Sequence, residues 1–304
     1  RGLGDVYKRQ VGKSSLLNVL TTAESRVGDY DFTTLNIVPG IMKYRHAEIQ
    51  VLDMPGIIKG AAKGRGRGRE VLSILRAADL ICIVIDVFNT NIDGILRELY
   101  EGGIRVNCSP PSVKIERKER GGICLSSTVP LTRIEERTIK DILREFGYVN
   151  ADVVIREDIT VDRLIDALSK NRVYVDAMIV LNKIDLVAKE YLEDVRKIYK
   201  DWDIVFVSAK EKIGIEELKD KIYRKLNFIG VYLKPQGGKV DMSRPMILRK
   251  GARVEDVCRK IHRDFVEKFR YAIVWGRSVK FDGQRVGLDH VVEDGDIISI
   301  VIWK

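Results

Sequence analysis

Two rhythms of apolar and polar positions alternate along most of the chain, one of short continuous apolar runs and one of helical spacing. The apolar runs predict strands at Ile49–Asp53, Leu80–Asp86, Ala177–Asn182 and Ile204–Ser208. Helical spacing predicts helices at Ser14–Thr22, Arg69–Ala78, Ile92–Glu101, Lys189–Tyr199 and Ile215–Leu226. Continuous apolar strands that alternate with helices are typical of a parallel sheet covered on both faces. The pattern therefore predicts an α/β domain with a doubly wound sheet over residues 11–226.

An insertion interrupts this alternation at about residues 105–176. Asp86 and Asn182, at the ends of two predicted strands, are separated by 96 positions, whereas a strand-to-strand crossover takes about 30. The interval contains predicted strands and helices of its own, at Ile123–Ser127, Glu135–Phe146, Val153–Arg156, Val161–Ser169 and Arg172–Asp176. We therefore expect a small α+β subdomain there.

The pattern changes again after Leu226. Short strands are predicted at Val231–Leu233, Met246–Leu248, Ala272–Trp275 and Ile297–Ile302, with a single helix at Val254–Phe269. One helix on a mixed sheet predicts a β-grasp domain over 228–304. At the other end, residues 1–10 begin with arginine and show neither period, so we expect a leader that is foreign to the natural protein.

Composition narrows the class of protein. With 45% hydrophobic and 32% charged residues, the chain has the make-up of a soluble globular protein. Its longest apolar run, Leu80–Val87, is too short to span a membrane. The four cysteines have neither metal-site nor disulfide spacing, which favours the cytoplasm. The net charge of +9 fits an anionic partner such as nucleic acid, although a merely basic soluble protein is the alternative.

The first candidate chemistry is Gly12-Lys13-Ser14, which precedes a predicted helix. In a P-loop, backbone amides at the helix start cradle phosphates, the lysine reaches the β and γ oxygens, and the serine hydroxyl ligates Mg²⁺. The tripeptide alone is a weak signal, because an ordinary helix start with a serine near its cap looks the same. Tyr7 also stands where the full motif has its first glycine.

Three further motifs follow predicted strands in the order that a guanine-nucleotide site requires. The first is DMPG at 53–56, where Asp53 can hold Mg²⁺ through water and the Gly56 amide can reach the γ-phosphate. NKID at 182–185 ends in a carboxylate that can accept two hydrogen bonds from guanine, which adenine does not offer. SAK at 208–210 can place a backbone amide at guanine O6. Each motif alone can be a strand-end turn or cap, but their order predicts a guanine-nucleotide site.

Longer segments carry a resemblance to a known family. They are DFTTLNIVPG (31–40), DMPGIIKGAAKGRGRGREVL (53–72), KERGGICLSSTVPLT (118–132) and NADVVIREDITVDRLID (150–166). From about Val11 to its end, the chain resembles the Obg-like GTPases, and specifically the DRG (developmentally regulated GTP-binding) subgroup of archaea and eukaryotes. The resemblance implies a P-loop GTPase domain, a small inserted domain and a C-terminal TGS domain, which is a β-grasp module. It also implies GTP or GDP, Mg²⁺ and K⁺ as ligands.

The resemblance assigns roles residue by residue. Thr34 matches the switch I threonine, so Lys13, Thr34 and Gly56 are the implied catalytic residues. The implied Mg²⁺ ligands are Ser14, Thr34 and Asp53. The implied nucleotide contacts are Gly12, Lys13, Ser14, Ser15, Thr34, Asp53, Gly56, Asn182, Lys183, Asp185, Ser208, Ala209 and Lys210.

Two features near switch II bear on the rate of hydrolysis. Ile57 stands where Ras-type GTPases have a water-orienting glutamine, and an apolar side chain cannot position water. The family resemblance likewise implies slow hydrolysis, often helped by K⁺ or a partner protein. The arginine-rich run is best interpreted as part of a solvent-exposed switch loop, and it contains Arg65, Arg67 and Arg69. The alternative is that one of these arginines stabilises charge in the transition state.

These observations predict a cytoplasmic, Mg²⁺-dependent GTPase that hydrolyses GTP slowly as a switch on ribosomes in translation. RNA or the ribosome and a stimulating accessory protein are the expected partners, and no membrane is expected. Two alternatives stay open: an RNA- or ribosome-binding module that GTP merely regulates, and an inactive scaffold with a damaged P-loop.

The C-terminal domain carries the RNA hypothesis. Residues 228–304 hold 15 Lys and Arg against 10 Asp and Glu. On the predicted helix, Arg259 and Arg263 share a face, and so do Lys260 and Arg263. Tyr271 and Trp275 follow closely and could stack bases if they are exposed. Packing of Trp275 in the core is the alternative.

Overall fold

The computed structural model describes residues 11–21, 38–54, 68–235 and 237–303. The strands, in chain order, are β1 (Val38–Tyr44), β2 (Ala47–Asp53), β3 (Leu80–Asp86), β4 (Ile104–Val106), β5 (Val113–Arg117), β6 (Ile123–Ser127), β7 (Ala151–Ile155), β8 (Val173–Asn182), β9 (Ile204–Phe206), β10 (Phe228–Leu233), β11 (Met246–Arg249), β12 (Phe269–Trp275), β13 (Gln284–Val286) and β14 (Ile297–Ile302). The helices are α1 (Lys13–Leu20), α2 (Gly68–Ala77), α3 (Asp93–Glu101), α4 (Glu136–Glu145), α5 (Val161–Ser169), α6 (Lys189–Ile198), α7 (Ile215–Lys225), α8 (Val254–Ile261) and α9 (Asp264–Glu267).

Two compact units make up the chain. The first contains Arg1–Pro55, Cys82–Thr90 and Met178–Lys304, and the second contains Gly56–Ile81 and Asn91–Ala177. Strand β8 begins in the second unit and ends in the first. The sequence pattern predicted two strands here, Arg172–Asp176 and Ala177–Asn182, but the structure has one continuous strand that includes the exposed Asp176.

In the first unit, the strand ends that carry the candidate motifs come from a hairpin and a parallel pair. The hairpin joins β1 and β2 in antiparallel register, from Val38 opposite Asp53 to Tyr44 opposite Ala47, and α1 lies against it. The second half of β8 pairs in parallel with β9, and β3 lies beside β8. Residues Ala177 to Leu181 of β8 are completely buried, which explains why the apolar run of this strand is continuous.

The second unit contains a three-stranded sheet in the order β5-β7-β6. The central strand β7 is antiparallel to β5 and parallel to β6. Helices α4 and α5 contribute Ile139, Leu143 and Leu164 to the core beneath this sheet. In the same unit, the buried Arg105 side chain of β4 donates two hydrogen bonds to Asp166 of α5, of 2.6 and 2.7 Å.

The C-terminal part of the first unit is a five-stranded β-grasp sheet in the order β11-β10-β14-β12-β13. Its two central neighbours, β10 and β14, are parallel, and the remaining pairs are antiparallel. One face packs on α8 through Val257, Ala272, Val274 and Ile298, which are completely buried.

The prediction of a single helix over Val254–Phe269 is wrong. Helix α8 ends at Ile261, because His262 adopts an extended backbone with φ −167° and ψ 147°. The short α9 then begins at Asp264, and Phe269 already belongs to β12. Arg259 and Lys260 therefore do not share a helical face with Arg263. The break escapes the sequence pattern because apolar positions 254, 257, 258, 261 and 265 keep helical spacing through it.

Candidate nucleotide-binding site

The start of α1 has the backbone geometry of a phosphate loop. Gly12 precedes the helix with φ +78°, a conformation that glycine adopts without strain. A Cβ at this position would lie 2.5 Å from the side-chain nitrogen of Asn182. Because no described side chain caps α1, the first amides, at Lys13, Ser14 and Ser15, are left for a ligand.

Ser14 and Asp53 bring the first two motifs together. Ser14, in the first turn of α1, donates a hydrogen bond of 2.5 Å from its hydroxyl to the carboxylate of Asp53 at the end of β2. A hydroxyl and a carboxylate are the hard oxygen ligands that Mg²⁺ prefers. The residues present therefore fit the magnesium ion that the resemblance implies.

Asn182 connects three motifs through one buried side chain. Its amide nitrogen donates to the carbonyl oxygen of Val11 at 3.0 Å. Its amide oxygen accepts from the backbone nitrogens of Lys183, at 2.8 Å, and Ala209, at 3.1 Å. The phosphate loop and both base-recognition motifs are consequently joined by one residue that is 2% exposed. These contacts make Asn182 a positioning residue for the site.

Lys183 pairs with an acidic residue that the sequence analysis did not include in the site. Its ammonium lies 2.7 Å from Asp86, at the end of β3, and 5.5 Å from the centre of the exposed Phe88 ring. The other oxygen of Asp86 accepts from the amides of Phe88 and Asn89. The available signal was the position of Asp86, which follows an apolar run as Asp53 does.

Asp185 is accessible to a ligand. It lies in a single 3-10 turn, Ile184–Leu186, and is exposed. Among the described residues, none forms a hydrogen bond or an ion pair with its carboxylate. An open carboxylate close to Asn182 can accept the paired donors of a guanine edge.

Hydrogen bonds fix the backbone of the SAK segment, residues 208–210. The buried Ser208 exchanges two backbone hydrogen bonds with Ile213, of 3.0 and 3.1 Å, and its hydroxyl accepts from the amide of Glu211. Ala209 is tied to Asn182, as described above. Lys210 is exposed and pairs with Glu211 at 3.3 Å.

Several predicted residues lie outside the residues that the structure describes. These are Thr34, Gly56, Tyr7, Ile57, Arg65 and Arg67, together with the side chain of Arg69. Within the described ranges, no three His, Cys, Asp or Glu side chains are grouped so that they could hold a metal ion. None of the helices in those ranges combines the length and apolar character that a membrane span needs.

Known families account for most of the chain. Residues 8–115 match the model of the 50S ribosome-binding GTPase, residues 120–228 match the C-terminal region of the MMR_HSR1 domain, and residues 229–302 match the TGS domain. Full-length relatives match as well. Developmentally-regulated GTP-binding protein 1 of Xenopus laevis is 43% identical over 302 residues, which cover 98% of this chain and 82% of the relative. The chain belongs to the developmentally regulated GTP-binding protein family. The resemblance inferred from the motifs, and the P-loop GTPase and TGS fold it implied, are thereby confirmed.

Another family member and one solved structure are also similar to this chain. An uncharacterized GTP-binding protein of Methanocaldococcus jannaschii is 57% identical over 297 residues, which are 97% of this chain and 76% of that protein. The YchF GTPase of Schizosaccharomyces pombe superimposes with a TM-score of 0.48 at 15% identity, over 97% of this chain and 96% of the other.

Proposed function

We propose that this member of the family is a Mg²⁺-dependent GTPase that acts as a slow molecular switch on the ribosome in the cytoplasm. The side chain of Asn182 is the observation that carries the proposal. It binds the phosphate loop at Val11 and the base-recognition segment at Ala209, so that one nucleotide can bridge the two.

The phosphate end of the proposed site is formed by α1 and β2. Lys13 and the uncapped amides of α1 supply positive potential, and Ser14 and Asp53 supply oxygen ligands. When bound, Mg²⁺ supplies positive charge against the β- and γ-phosphate oxygens. Thr34 and Gly56 complete this end in the proposal, as the γ-phosphate sensors of switch I and switch II.

Slow turnover follows from the side chain at position 57. An isoleucine has no polar atom with which to orient the attacking water, so an additional group must do so. We propose K⁺ or a stimulating accessory protein for that role. The match to the 50S ribosome-binding GTPase domain and the net charge of +9 support the ribosome as the partner.

The test measures nucleotide binding, turnover and ribosome association in one preparation. We expect GTP and GDP to compete with a fluorescent GDP analogue while ATP does not, and single-turnover hydrolysis to require Mg²⁺ and to accelerate with K⁺ or ribosomes. Co-sedimentation with ribosomes should depend on whether GTP or GDP is bound. Absence of guanine-nucleotide binding would leave the inactive scaffold. Nucleotide-independent ribosome binding would favour the RNA-binding module.

A further inference from the structure

The basic residues of α8 are largely engaged within the domain. Arg259 pairs with Glu255 at 2.5 Å, one helical turn away. Lys260 donates to the carbonyl oxygen of Ile247 at 2.5 Å. The Arg253 guanidinium lies 3.3 Å from the carboxylate of Asp289, and the Arg253 backbone amide donates to Asp256. The helix therefore presents acidic and basic groups in balance, which is a poor surface for a polyanion.

The opposite face of the β-grasp sheet has a different composition. Ala272 and Val274 of β12 are buried against α8, so alternation places Tyr271, Ile273 and Trp275 on the other face. The five strands of this sheet contain no Asp or Glu. All acidic residues of the domain lie in its helices and loops. The strands accordingly contribute aromatic side chains, and no negative ones, to this face.

Cationic groups lie over the aromatic rings of this face. The Arg270 guanidinium is 4.4 Å from the centre of the Trp303 ring and 5.6 Å from that of Tyr271. The Arg285 guanidinium is 4.6 Å from the Tyr271 ring, and the Lys234 ammonium is 4.4 Å from the Trp275 ring. Within the described ranges, none of these three cations forms an ion pair. Their charge therefore remains available to an anionic partner.

The rings and cations form two groups, one near each end of β12. Trp303, Arg270, Tyr271 and Arg285 make the first, and Lys234 with Trp275 makes the second. Four residues of extended chain separate Tyr271 from Trp275, which corresponds to about 13 Å. Trp303 is 58% exposed. Aromatic faces bordered by Arg and Lys are the chemistry that holds unstacked bases and the phosphates between them.

We propose that this sheet face, defined by Lys234, Arg270, Tyr271, Trp275, Arg285 and Trp303, binds single-stranded RNA. The inference rests on the proposed ribosomal function, which makes RNA the occupant and unpaired ribosomal RNA its source. Single strands are favoured over duplex because the rings contact base faces, which a duplex keeps stacked inside.

Two double variants of the full chain test the location of the surface. Arg270→Gln with Arg285→Gln removes two exposed arginines from the sheet face. Arg259→Gln with Arg263→Gln removes the same charge from the helix side and is the matched control. The probe is a fluorescein-labelled single-stranded RNA of about twelve nucleotides. We expect the sheet variant to weaken binding roughly tenfold and to reduce the salt slope by about 0.7 for each phosphate that it no longer neutralises. The control should stay within about twofold.

A third variant tests stacking. Trp303→Ala changes an exposed side chain, so it should leave the melting temperature of the chain unchanged while it weakens binding of the single strand. Equal losses in both double variants, or tighter binding of the annealed duplex, would overturn the proposal. So would unchanged oligonucleotide binding together with lost ribosome sedimentation, which would assign the face to a ribosomal protein. Guanine-nucleotide binding in the same variants reports on the proposed GTPase separately.

Discussion

Arg45 and Asp220 lie 175 positions apart in the sequence and form an ion pair of 3.0 Å. The pair connects the turn between β1 and β2, which contains Arg45, to α7, which contains Asp220. The Tyr44 hydroxyl donates to the same carboxylate at 3.1 Å, and the Arg45 guanidinium lies 5.0 Å from the Tyr223 ring. The turn lies at the end of the hairpin opposite to Asp53, and α7 is followed in the chain by β10. The ion pair therefore connects this hairpin to the helix that precedes the TGS domain.

Replacement of Asp220 should lower the free energy of unfolding. Asp220→Ala removes the partner of Arg45, Tyr44 and Arg224, yet Arg45 is half exposed, so we expect a loss of about 1 kcal/mol in the free energy of unfolding. Asp194→Ala breaks a solvent-exposed pair on α6, with Lys197, and should leave the free energy of unfolding nearly unchanged. Urea titration of the two variants compares them. Equal midpoints would show that the carboxylate of Asp220 contributes nothing.

Lys183 should matter more than its neighbour Lys210. Lys183→Met leaves the buried Asp86 carboxylate without its cation, at an expected cost of about 1–3 kcal/mol in stability. Lys210 is exposed, so Lys210→Met should change stability by less than about 0.5 kcal/mol. Thermal melts measure both. Adding Asp86→Asn to Lys183→Met should recover part of the loss, and no recovery would contradict the role of the pair.

Asp185 should decide which base is bound. Asp185→Asn offers a donor in place of an acceptor, so binding should shift from guanine toward xanthine nucleotides. Each misplaced hydrogen bond costs about 1–3 kcal/mol. Asp201→Asn, at another exposed aspartate, is the control and should leave the preference unchanged. Competition among GTP, ATP and XTP gives the result, and similar affinities for GTP and ATP in the unmodified chain would contradict the assignment.

Asp166 should make the stability of the second unit depend on pH. Burial opposes the charge, but hydrogen bonds from Arg105 and Arg172 outweigh it, so the pKa of Asp166 lies below its ordinary value. A lowered pKa means that the carboxylate stabilises the fold above about pH 4 and that this contribution is lost as the pH falls through the lowered value. Asp166→Asn should therefore melt earlier at pH 7 and approach the unmodified chain as the pH falls through the lowered pKa. A constant difference between them across that range would contradict the prediction. Asp141→Asn, in an exposed pair with Arg144, is the control.

The sequence predicted the strands and helices of the GTPase domain well, because their apolar runs are buried on both faces or along one stripe. It missed β1, since Pro39 and Gly40 disfavour a strand, and the pairing with β2 that stabilises it is not visible in the local pattern. It also missed the break at His262, whose extended backbone ends a helix that the spacing would continue.

Within the candidate site, sequence order was sufficient to propose Ser14, Asp53 and Asn182, which the structure brings together through hydrogen bonds. Asp86 was not proposed, because its role depends on a lysine 97 positions away. The sheet face of the TGS domain could not be predicted either. Its cations and rings come from β12, β13 and the residues just beyond β10 and β14, and only the strand order makes them neighbours.

The close approach of Gly12 to Asn182 restricts how nucleotide-free variants of this chain can be designed. Any side chain at position 12 would press on the nitrogen of Asn182, whose oxygen holds the amide of Ala209. A substitution intended to disable the phosphate loop would thus also disturb the base pocket, and its phenotype would mix the two defects. Lys13→Ala leaves that contact in place, so it is the cleaner choice when an experiment must separate loss of phosphate binding from loss of base selection.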